Sequence, residues 1–173
     1  MDTLEIINNR RSCKSYDPDK KVPRDIVEKI ADAGKHAATG MNRQSPMILV
    51  VENKELRDKL EELNKIPLGT QSPTFYGAPQ VLVVLAKKDV STHVYDGSIV
   101  MANMMIAAEA CGVGSCWIHR ARETFDSSAG KEILSFLGIE GEWEGIGHLV
   151  IGYLKGPKRE AIKYKEDYIM WVD

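Results

Sequence analysis

Residues 98–118 read SIVMANMMIAAEACGVGSCWI. The first part, from Ser98 to Cys111, places apolar side chains nearly all the way round a helix, with Asn103 and Glu109 as its main polar residues. Gly112 ends the predicted helix, because glycine readily adopts the left-handed conformation that closes one. A helix with this pattern must be covered on every side. A subunit interface can do this more easily than one small domain.

Short apolar stretches on both sides of this helix predict the strands. Gly114–Ile118 follows it directly, and Val81–Ala86 is apolar on both faces, which is typical of a central strand. Met47–Val51 and Gly147–Leu154 are the other predicted strands. The connection Pro67–Gln80 has no periodic signal, and loops of this length are often functional, so it is a candidate for the substrate side.

Helical patterns alternate with these strands. The predicted helices are one capped by Thr3, one from Pro23 to about Ala38, one capped by Asn53, the apolar helix capped by Asp96, and one after Asp126 that ends at Gly138. Alternation of strands and helices by itself indicates a parallel, doubly wound sheet. No repeat or linker interrupts the pattern, so residues 1–173 are expected to form a single domain.

The composition is that of an ordinary globular protein: of 173 residues, 43% are hydrophobic and 28% charged, and the formal net charge is −2. This balance gives no electrostatic footprint for nucleic acid or an anionic membrane, so neither partner is expected. The uncharged run Ile66–Ala86 is interrupted by Pro67, Pro73 and Pro79 and cannot cross a bilayer as one helix. The acidic N-terminus and three cysteines, which cannot all pair, favour a cytoplasmic location.

Several common catalytic motifs are absent from the sequence. It has no P-loop, no His-Glu-x-x-His zinc helix, no complete dinucleotide fingerprint and no nucleophile elbow. His36, His93, His119 and His148 are widely scattered, so no metal site is expected. Catalysis is therefore expected to depend on a bound cofactor rather than on side chains alone.

Three segments carry a chemical signal. Residues 10–16 combine three cations with hydroxyl groups, which suits a phosphate monoester but also fits a solvated basic turn. In residues 38–46, Gly40 permits close approach to a ligand, while Asn42 and Gln44 can hydrogen-bond to the edge of a heterocycle. In residues 112–119, two glycines and small residues precede Trp117, whose side chain can cover a flat ring. Taken singly, the last two segments also fit an ordinary helix end and a core tryptophan.

Together and in this order, the segments resemble the FMN-dependent nitroreductase family. The matching motifs are Arg10-Arg11-Ser12-Cys13-Lys14, Thr39-Gly40-Met41-Asn42-Arg43-Gln44, the alanine-rich helix from Met101 to Gly112, Gly114-Ser115-Cys116-Trp117 and Ile151-Gly152-Tyr153. The resemblance implies an α+β fold, a three-layer αβα sandwich around a mixed, mainly antiparallel sheet. It also implies an obligate homodimer that binds FMN at the subunit interface, with contacts from both chains.

The resemblance assigns the cofactor contacts to particular positions. It implies phosphate contacts from Arg10 and Ser12, with Arg11 beside them, and a cation at Lys14 that reaches the flavin. The other implied contacts are Thr39, Gly40, Met41, Asn42 and Gln44, largely from the second subunit, together with Gln71, Trp117, Ile118 and His119. No catalytic side chain is expected, because Lys14 and a backbone N–H of His119 would only support the flavin electrostatically.

The C-terminal extension, residues 155–173, departs from the family pattern. Many relatives have an arginine that closes the phosphate site where this chain has Tyr164. Lys163 or Lys165 is expected to replace that arginine, in preference to Lys158 or Arg159. The aromatic side chains of the extension are expected to pack on the partner subunit.

The implied function is that of an NAD(P)H-dependent FMN oxidoreductase. NADH or NADPH would reduce the flavin by hydride transfer, and a nitroaromatic, quinone or similar small-molecule acceptor would reoxidise it in a ping-pong mechanism. One alternative is a non-catalytic flavin-binding or sensing protein. The other is a branch of the superfamily with different flavin chemistry, either dehalogenation or flavin fragmentation.

Overall fold

Strand β2 (Gln80–Lys87) lies in the middle of the sheet, and its apolar side chains are buried on both faces. Side chains alternate along a strand, so Val83 packs on one side of the sheet and Val84 on the other. This explains why the sequence here is continuously apolar rather than alternating. The computed structural model describes residues 2–172.

Helices and strands follow one another along the chain. The helices are α1 (Thr3–Asn9), α2 (Arg24–Lys35), α3 (Lys54–Lys65), α4 (His93–Ala110), α5 (Ala121–Asp126) and α6 (Ser128–Phe136). The strands are β1 (Pro46–Val51), β2, β3 (Gly114–Ile118) and β4 (Trp143–Gly152). Single turns of 3₁₀ helix occur at Gly40–Asn42, Ile66–Leu68 and Glu166–Tyr168.

The strand order is β1-β2-β4-β3, and every neighbouring pair of these strands is antiparallel. The three-layer α+β fold implied by the resemblance is therefore confirmed, and the parallel sheet indicated by alternation alone is wrong. The physical reason lies between β1 and β2. The connection 66–79 follows α3 and returns the chain to the end of the sheet where β1 finished, so β2 runs back alongside β1.

Helices cover both faces of the sheet. Helices α2 and α4 pack on one face, around the buried residues Ile30, Met101 and Met104. Helices α3, α5 and α6 pack on the other, around Leu60 and Phe125. Each fully buried side chain of this size contributes about 1.5–3 kcal/mol relative to an exposed one. None of the helices in residues 2–172 combines the length and the hydrophobicity needed to span a membrane.

Two predicted helix caps are wrong. Asp2, not Thr3, caps α1, because its carboxylate accepts a hydrogen bond from the N–H of Glu5 at 2.9 Å. Helix α4 begins at His93, so Asp96 lies inside its first turn and does not cap it. The Asp96 side chain instead bonds to a distant loop, as described below. The cap prediction for Asn53 is confirmed, since its side chain accepts from the N–H of Leu56.

Other boundaries also differ from the expectation. Helix α2 ends at Lys35 rather than near Ala38. The region around Asp126 contains two helices, because Ser127 interrupts the first and caps the second. Strand β4 begins four residues before the predicted Gly147, since the glycines in its first half hide the strand pattern.

Candidate functional site

The Arg10–Lys14 segment lies along the free edge of β3. Ser12 pairs with Ser115 in a parallel bridge, and the N–H of Cys13 donates to the carbonyl of Ser115 at 2.9 Å. This pairing brings the first and third sequence motifs side by side, although they are about a hundred residues apart in the chain. It is also the one parallel pairing recorded in the described part of the sheet.

A small cavity of about 230 Å³ opens beside this segment, and its walls are cationic. Lys14 comes from the N-terminal segment, whereas Lys155 and Arg159 come from the start of the C-terminal extension. Three positive groups around one small cavity form a suitable site for a phosphate group. Of the tail cations considered from sequence, Arg159 lines this cavity, and Lys163 and Lys165 are not among its lining residues.

Arg11 connects the same region to the tail. Its guanidinium donates to the carbonyl oxygens of Asn8, Arg10 and Glu160, the last at 3.2 Å. Because these bonds use main-chain acceptors, Arg11 holds residue 160 against the end of α1. Arg11 is thus engaged within the protein, while Lys14 is exposed at the cavity.

The end of β3 is held by packing and by one buried amide. Trp117 is half-buried and its indole lies against Gly147, where a larger residue would collide with it. Ile118 is buried, and His119 is exposed. The side-chain Nδ2 of Asn64, which is itself completely buried on α3, donates to the carbonyl of His119 at 2.7 Å. The backbone that follows β3 therefore has a defined orientation.

Polar contacts also position the second half of the 66–79 connection. The Glu61 carboxylate accepts from the N–H of Phe75 at 2.7 Å, and the Arg57 guanidinium donates to the carbonyl of Ala78 at 3.0 Å. Arg57 and Glu61 also form a largely buried ion pair, with an N–O distance of 2.7 Å. This pair on α3 fixes the shape of the loop.

The fixed half of that loop reaches the cationic segment. The N–H of Tyr16 donates to the carbonyl of Tyr76 at 3.2 Å, and the ammonium of Lys14 lies 5.7 Å from the Tyr76 ring centre. Gln71, by contrast, is exposed in the first half of the connection. The structure thus places Tyr76, which the sequence did not single out, next to Lys14, and it records no contact between Lys14 and the predicted residue Gln71 in the described part of the chain.

The second sequence motif has an unusual backbone. Met41, Asn42 and Gln44 all have positive φ angles, of 53°, 55° and 50°. This left-handed conformation costs a residue other than glycine on the order of 1 kcal/mol. Several such residues in one short loop indicate a shape that the surrounding structure enforces, and such loops occur frequently at ligand sites.

This loop lies far from the cationic cavity within one chain. It precedes β1, which is one edge strand, whereas residues 10–14 lie along β3, the other edge strand. Three strand spacings separate the edges, which is about 14 Å. Thr39, Asn42 and Gln44 instead line a second cleft of about 920 Å³, whose apolar wall includes Ile48 and Val100.

The buried thiols near the small cavity are not activated. Burial raises the pKa of Cys13 and of Cys116, and the nearby cations Lys158 and Lys14 only partly offset that effect. Both side chains therefore remain protonated thiols at neutral pH. Among residues 2–172, no three His, Cys, Asp or Glu side chains come close enough together to hold a metal ion.

The sequence did not identify, or ranked low, four residues near these sites: Tyr76, Asp96, Asn64 and Arg159. Asp96 bonds to Gly40 and Ser45, and Asn64 bonds to His119; these partners are distant in sequence, so no local pattern identifies either residue. Arg159 had a usable signal, because it is the first arginine after the last strand, which ends at Gly152.

The nitroreductase family model matches residues 7–153 of the chain. A curated relative from Archaeoglobus fulgidus is 30% identical over 171 residues, covering 95% of this chain and 90% of the relative. One from Methanothermobacter thermautotrophicus is 31% identical over 121 residues, covering 68% of this chain and 60% of that relative. This chain therefore spans less than two thirds of the second relative's length. Both names are provisional assignments as an NADH dehydrogenase/NAD(P)H nitroreductase.

Solved structures share the fold over the whole chain. One is a nitroreductase with bound FMN from Bacteroides fragilis, which is 27% identical in sequence and superposes with a TM-score of 0.88. The superposition covers 100% of this chain and 100% of that one. A second, from Desulfitobacterium hafniense, also has a TM-score of 0.88 with full coverage of both chains. At 24% identity, that similarity shows the fold alone.

Proposed function

The chain belongs to the nitroreductase family, and we propose that it is an FMN-dependent oxidoreductase that uses NADH or NADPH to reduce small conjugated acceptors. The acceptors we propose are nitroaromatics, quinones and compounds of similar electronic character. One observation of the structure carries the proposal. The Arg10–Lys14 segment pairs with β3 at Ser115, and its last residue, Lys14, lines a cationic cavity together with Lys155 and Arg159 from the start of the tail.

The residues around the small cavity fit the phosphate end of FMN. A phosphate monoester carries nearly two negative charges at neutral pH, and Lys14, Lys155 and Arg159 supply positive charge around a space of about 230 Å³. The guanidinium of Arg159 can donate two parallel hydrogen bonds to phosphate oxygens. We propose that Arg159 takes the role that the sequence suggested for Lys163 or Lys165.

Bound FMN would supply a ring system that accepts hydride from a reduced nicotinamide and passes the reducing equivalents to an acceptor. The protein's own contribution is electrostatic and geometric. Lys14 places a positive charge, and we propose that the backbone N–H of His119 places a dipole, where negative charge develops. Asn64 keeps the peptide after His119 in one orientation through its hydrogen bond.

One site is expected to serve both substrates. We propose that the nicotinamide and the acceptor occupy the same position in turn, which gives a ping-pong order. The loop Thr74–Ala78, which Glu61 and Arg57 hold in place, would form part of the wall that both substrates meet. The fixed wall would restrict the acceptor to small, flat molecules.

We propose that the working unit is a homodimer. The opposite edges of one sheet hold the two groups of proposed flavin contacts, so residues 39–44 of a second chain are needed to complete each site. Exposed apolar side chains support a subunit interface. They include Tyr95 and Ile99 on α4, and Tyr164, Tyr168, Met170 and Trp171 in the extension.

The proposal is tested by the visible spectrum of the purified protein reconstituted with FMN, recorded anaerobically before and after addition of NADH or NADPH. We expect bleaching of the flavin absorbance near its long-wavelength maximum and its recovery when a quinone or nitroaromatic is added. Stoichiometric FMN binding without reduction by either nicotinamide would instead indicate a binding or sensing protein. Absence of any flavin binding would contradict the proposal entirely.

A further inference from the structure

The carboxylate of Asp96 is buried and makes three hydrogen bonds, two of them to a distant loop. It accepts from the N–H of Gly40 at 2.9 Å, from the hydroxyl of Ser45 at 3.0 Å and from the hydroxyl of Thr92 at 3.0 Å. Gly40 and Ser45 are more than fifty positions away in the sequence. These partners lie at both ends of the left-handed loop, so one carboxylate anchors the loop at two points.

Asp96 does not serve its own helix. It occupies the first turn of α4, but none of its hydrogen bonds goes to a main-chain N–H of α4. Thr92 is the residue before the helix, and its hydroxyl bonds to Asp96 instead of capping. Burial of a carboxylate costs free energy, and here the compensating hydrogen bonds hold a separate loop and not the helix itself. This cost suggests a role for Asp96 beyond the stability of α4.

The anchor is charged under physiological conditions. Burial by itself raises the pKa of Asp96, but the hydrogen bonds from Gly40, Thr92 and Ser45 outweigh that effect and hold the pKa below its ordinary value. An ionised carboxylate accepts hydrogen bonds only, which matches the three donors around it.

The loop between these anchor points is closely confined. A Cβ atom at Gly40 would lie 2.5 Å from the hydroxyl oxygen of Thr92, so the loop backbone packs directly on the start of α4. The hydroxyl of Thr39 also accepts from the N–H of Gln44 at 3.2 Å and closes the loop on itself. Within this frame Met41, Asn42 and Gln44 take their left-handed conformations.

We propose that Asp96 is a positioning residue, which holds residues 39–44 in their strained shape and thereby sets the affinity of the protein for its flavin. The inference rests on the proposed function, because it assigns a purpose to the loop that would contact FMN. The carboxylate is buried and its hydrogen bonds go to Gly40, Ser45 and Thr92, so it is not proposed as a direct contact to the ligand. It acts by removing the need to order the loop when the flavin binds.

Two variants separate this role from general stability. In Asp96→Ala both anchor points are lost, whereas in Asp96→Asn the amide oxygen still accepts from Gly40 and the amide N–H groups can donate to the hydroxyls of Ser45 and Thr92. Glu61→Ala is the matched control, since Glu61 is also a buried carboxylate that accepts from a loop N–H, but in a different loop.

The first measurement is trypsin cleavage after Arg43 in the flavin-free protein, followed by mass spectrometry. Arg43 is exposed within the loop. We expect at least tenfold faster cleavage at this bond in Asp96→Ala, a rate within threefold of the parent in Asp96→Asn, and no acceleration in Glu61→Ala. Equal cleavage of Asp96→Ala and the parent protein would overturn the proposal.

The second measurement is the FMN dissociation constant, obtained by fluorescence titration. We expect Asp96→Ala to raise it at least tenfold and Asp96→Asn to restore it to within threefold of the parent value. An unchanged constant in Asp96→Ala would overturn the role in flavin binding even if cleavage accelerates. If the parent protein binds no FMN, the proposed function fails, and the cleavage rates alone decide whether Asp96 holds the loop.

A milder change guards against misfolding of Asp96→Ala. Thr92→Val keeps the shape of the side chain but removes one donor to the carboxylate. We expect about threefold faster cleavage after Arg43 and about threefold weaker FMN binding, with an unchanged circular dichroism spectrum. If Asp96→Ala does not fold and Thr92→Val shows parent values in both measurements, the proposal is wrong.

Discussion

Single buried polar side chains in this protein have very different surroundings. The Asp96 carboxylate accepts three hydrogen bonds, whereas both ring nitrogens of His148 lack a hydrogen-bond partner among the described residues. His148 is completely buried between Phe75 and Phe125, with ring-centre distances of 5.3 and 6.1 Å. Burial lowers the pKa of His148 from 6.5 to about 3, so the folded protein keeps this ring neutral.

His148 should make the stability of the protein depend on pH. Below pH 6.5 the unfolded chain binds a proton that the folded protein excludes, so stability is complete above that pH and decreases as the pH falls towards 3. Between pH 7.5 and pH 5 we expect this residue to reduce the free energy of unfolding by about 2 kcal/mol. Urea titrations at both pH values should show this decrease in the parent and not in His148→Leu.

The chosen pH range separates this effect from that of the carboxylates. Asp58 and Asp126 have lowered pKa values through hydrogen bonds to Lys54 and Lys88, so their contributions are lost only at more acidic pH, below their ordinary pKa of 3.8. An equal decrease in the parent and in His148→Leu would show that His148 is protonated or solvated in the folded protein.

Single substitutions can also test which cation of the C-terminal extension, Arg159 or Lys163, contributes to FMN binding. We expect Arg159→Ala to raise the FMN dissociation constant at least tenfold, because it removes a guanidinium from the wall of the small cavity. Arg159→Lys should recover part of the affinity, since charge returns without the paired donors. Lys163→Ala is the control and should change the constant less than twofold. The opposite result for Arg159→Ala and Lys163→Ala would restore the assignment made from sequence.

At the scale of helices and strands, close packing at a glycine determines where α5 ends and α6 begins. Gly130 lies in the first turn of α6, where a Cβ atom would collide with the carbonyl oxygen of Thr124 and lie 2.7 Å from Cα of Phe125. These are backbone atoms of α5, so they cannot move aside independently. The two short helices therefore meet at this glycine, which a pattern of apolar spacing does not reveal.

Gly130→Ala should destabilise the protein strongly. Because the collision is with backbone, we expect a loss of about 3 kcal/mol in the free energy of unfolding. Gly138→Ala is the comparison: that glycine has a φ of 69° and no atom near the position of a Cβ, so the cost should be about 1 kcal/mol from backbone strain alone. Urea unfolding of both variants measures the difference. A larger loss for Gly138→Ala would contradict the packing at the α5–α6 junction.

Most helices and strands could be predicted from the sequence, because their signals are local. The central strand, the Asn53 cap and the strand after Gly112 follow from apolar spacing and capping residues. The junction at Ser127 could not be predicted, because it depends on Gly130 packing against the backbone of α5. The early start of β4 could not be predicted, because Gly145 and Gly147 pack against Ala121 and Trp117, which are distant in the sequence. The same holds for the candidate site, where the Arg10–Lys14 motif was recognisable but its position beside β3 was not.

The whole molecule leaves apolar surface exposed at positions consistent with a second subunit. The side chains of Tyr164, Met170 and Trp171 in the extension are 70–85% exposed. The two groups of proposed flavin contacts lie at opposite edges of the sheet, and a second copy would bring one group to the other. Size alone would have suggested that one chain is sufficient.

Loss of the extension should weaken self-association. Light scattering after size-exclusion chromatography should give twice the chain mass for the parent protein, and a lower dimer fraction at micromolar concentration for a chain ending at Ala161. This truncation keeps Arg159, so the small cavity retains that cation. Phe136→Ala, which removes an exposed aromatic side chain elsewhere, is the control and should leave the dimer intact. An undiminished dimer after truncation would exclude the extension from the interface.

The sequence by itself determined most of the helical and strand segments, the order of the motifs and the family, because all of these depend on neighbouring residues and their spacing. Only the tertiary structure decided the strand order β1-β2-β4-β3, the position of Arg159 at the cavity and the anchoring of the left-handed loop by Asp96. Each of these depends on which distant segments come into contact. These contacts depend on the path that the chain takes after α3 and on a core in which side chains from several helices and strands are buried together.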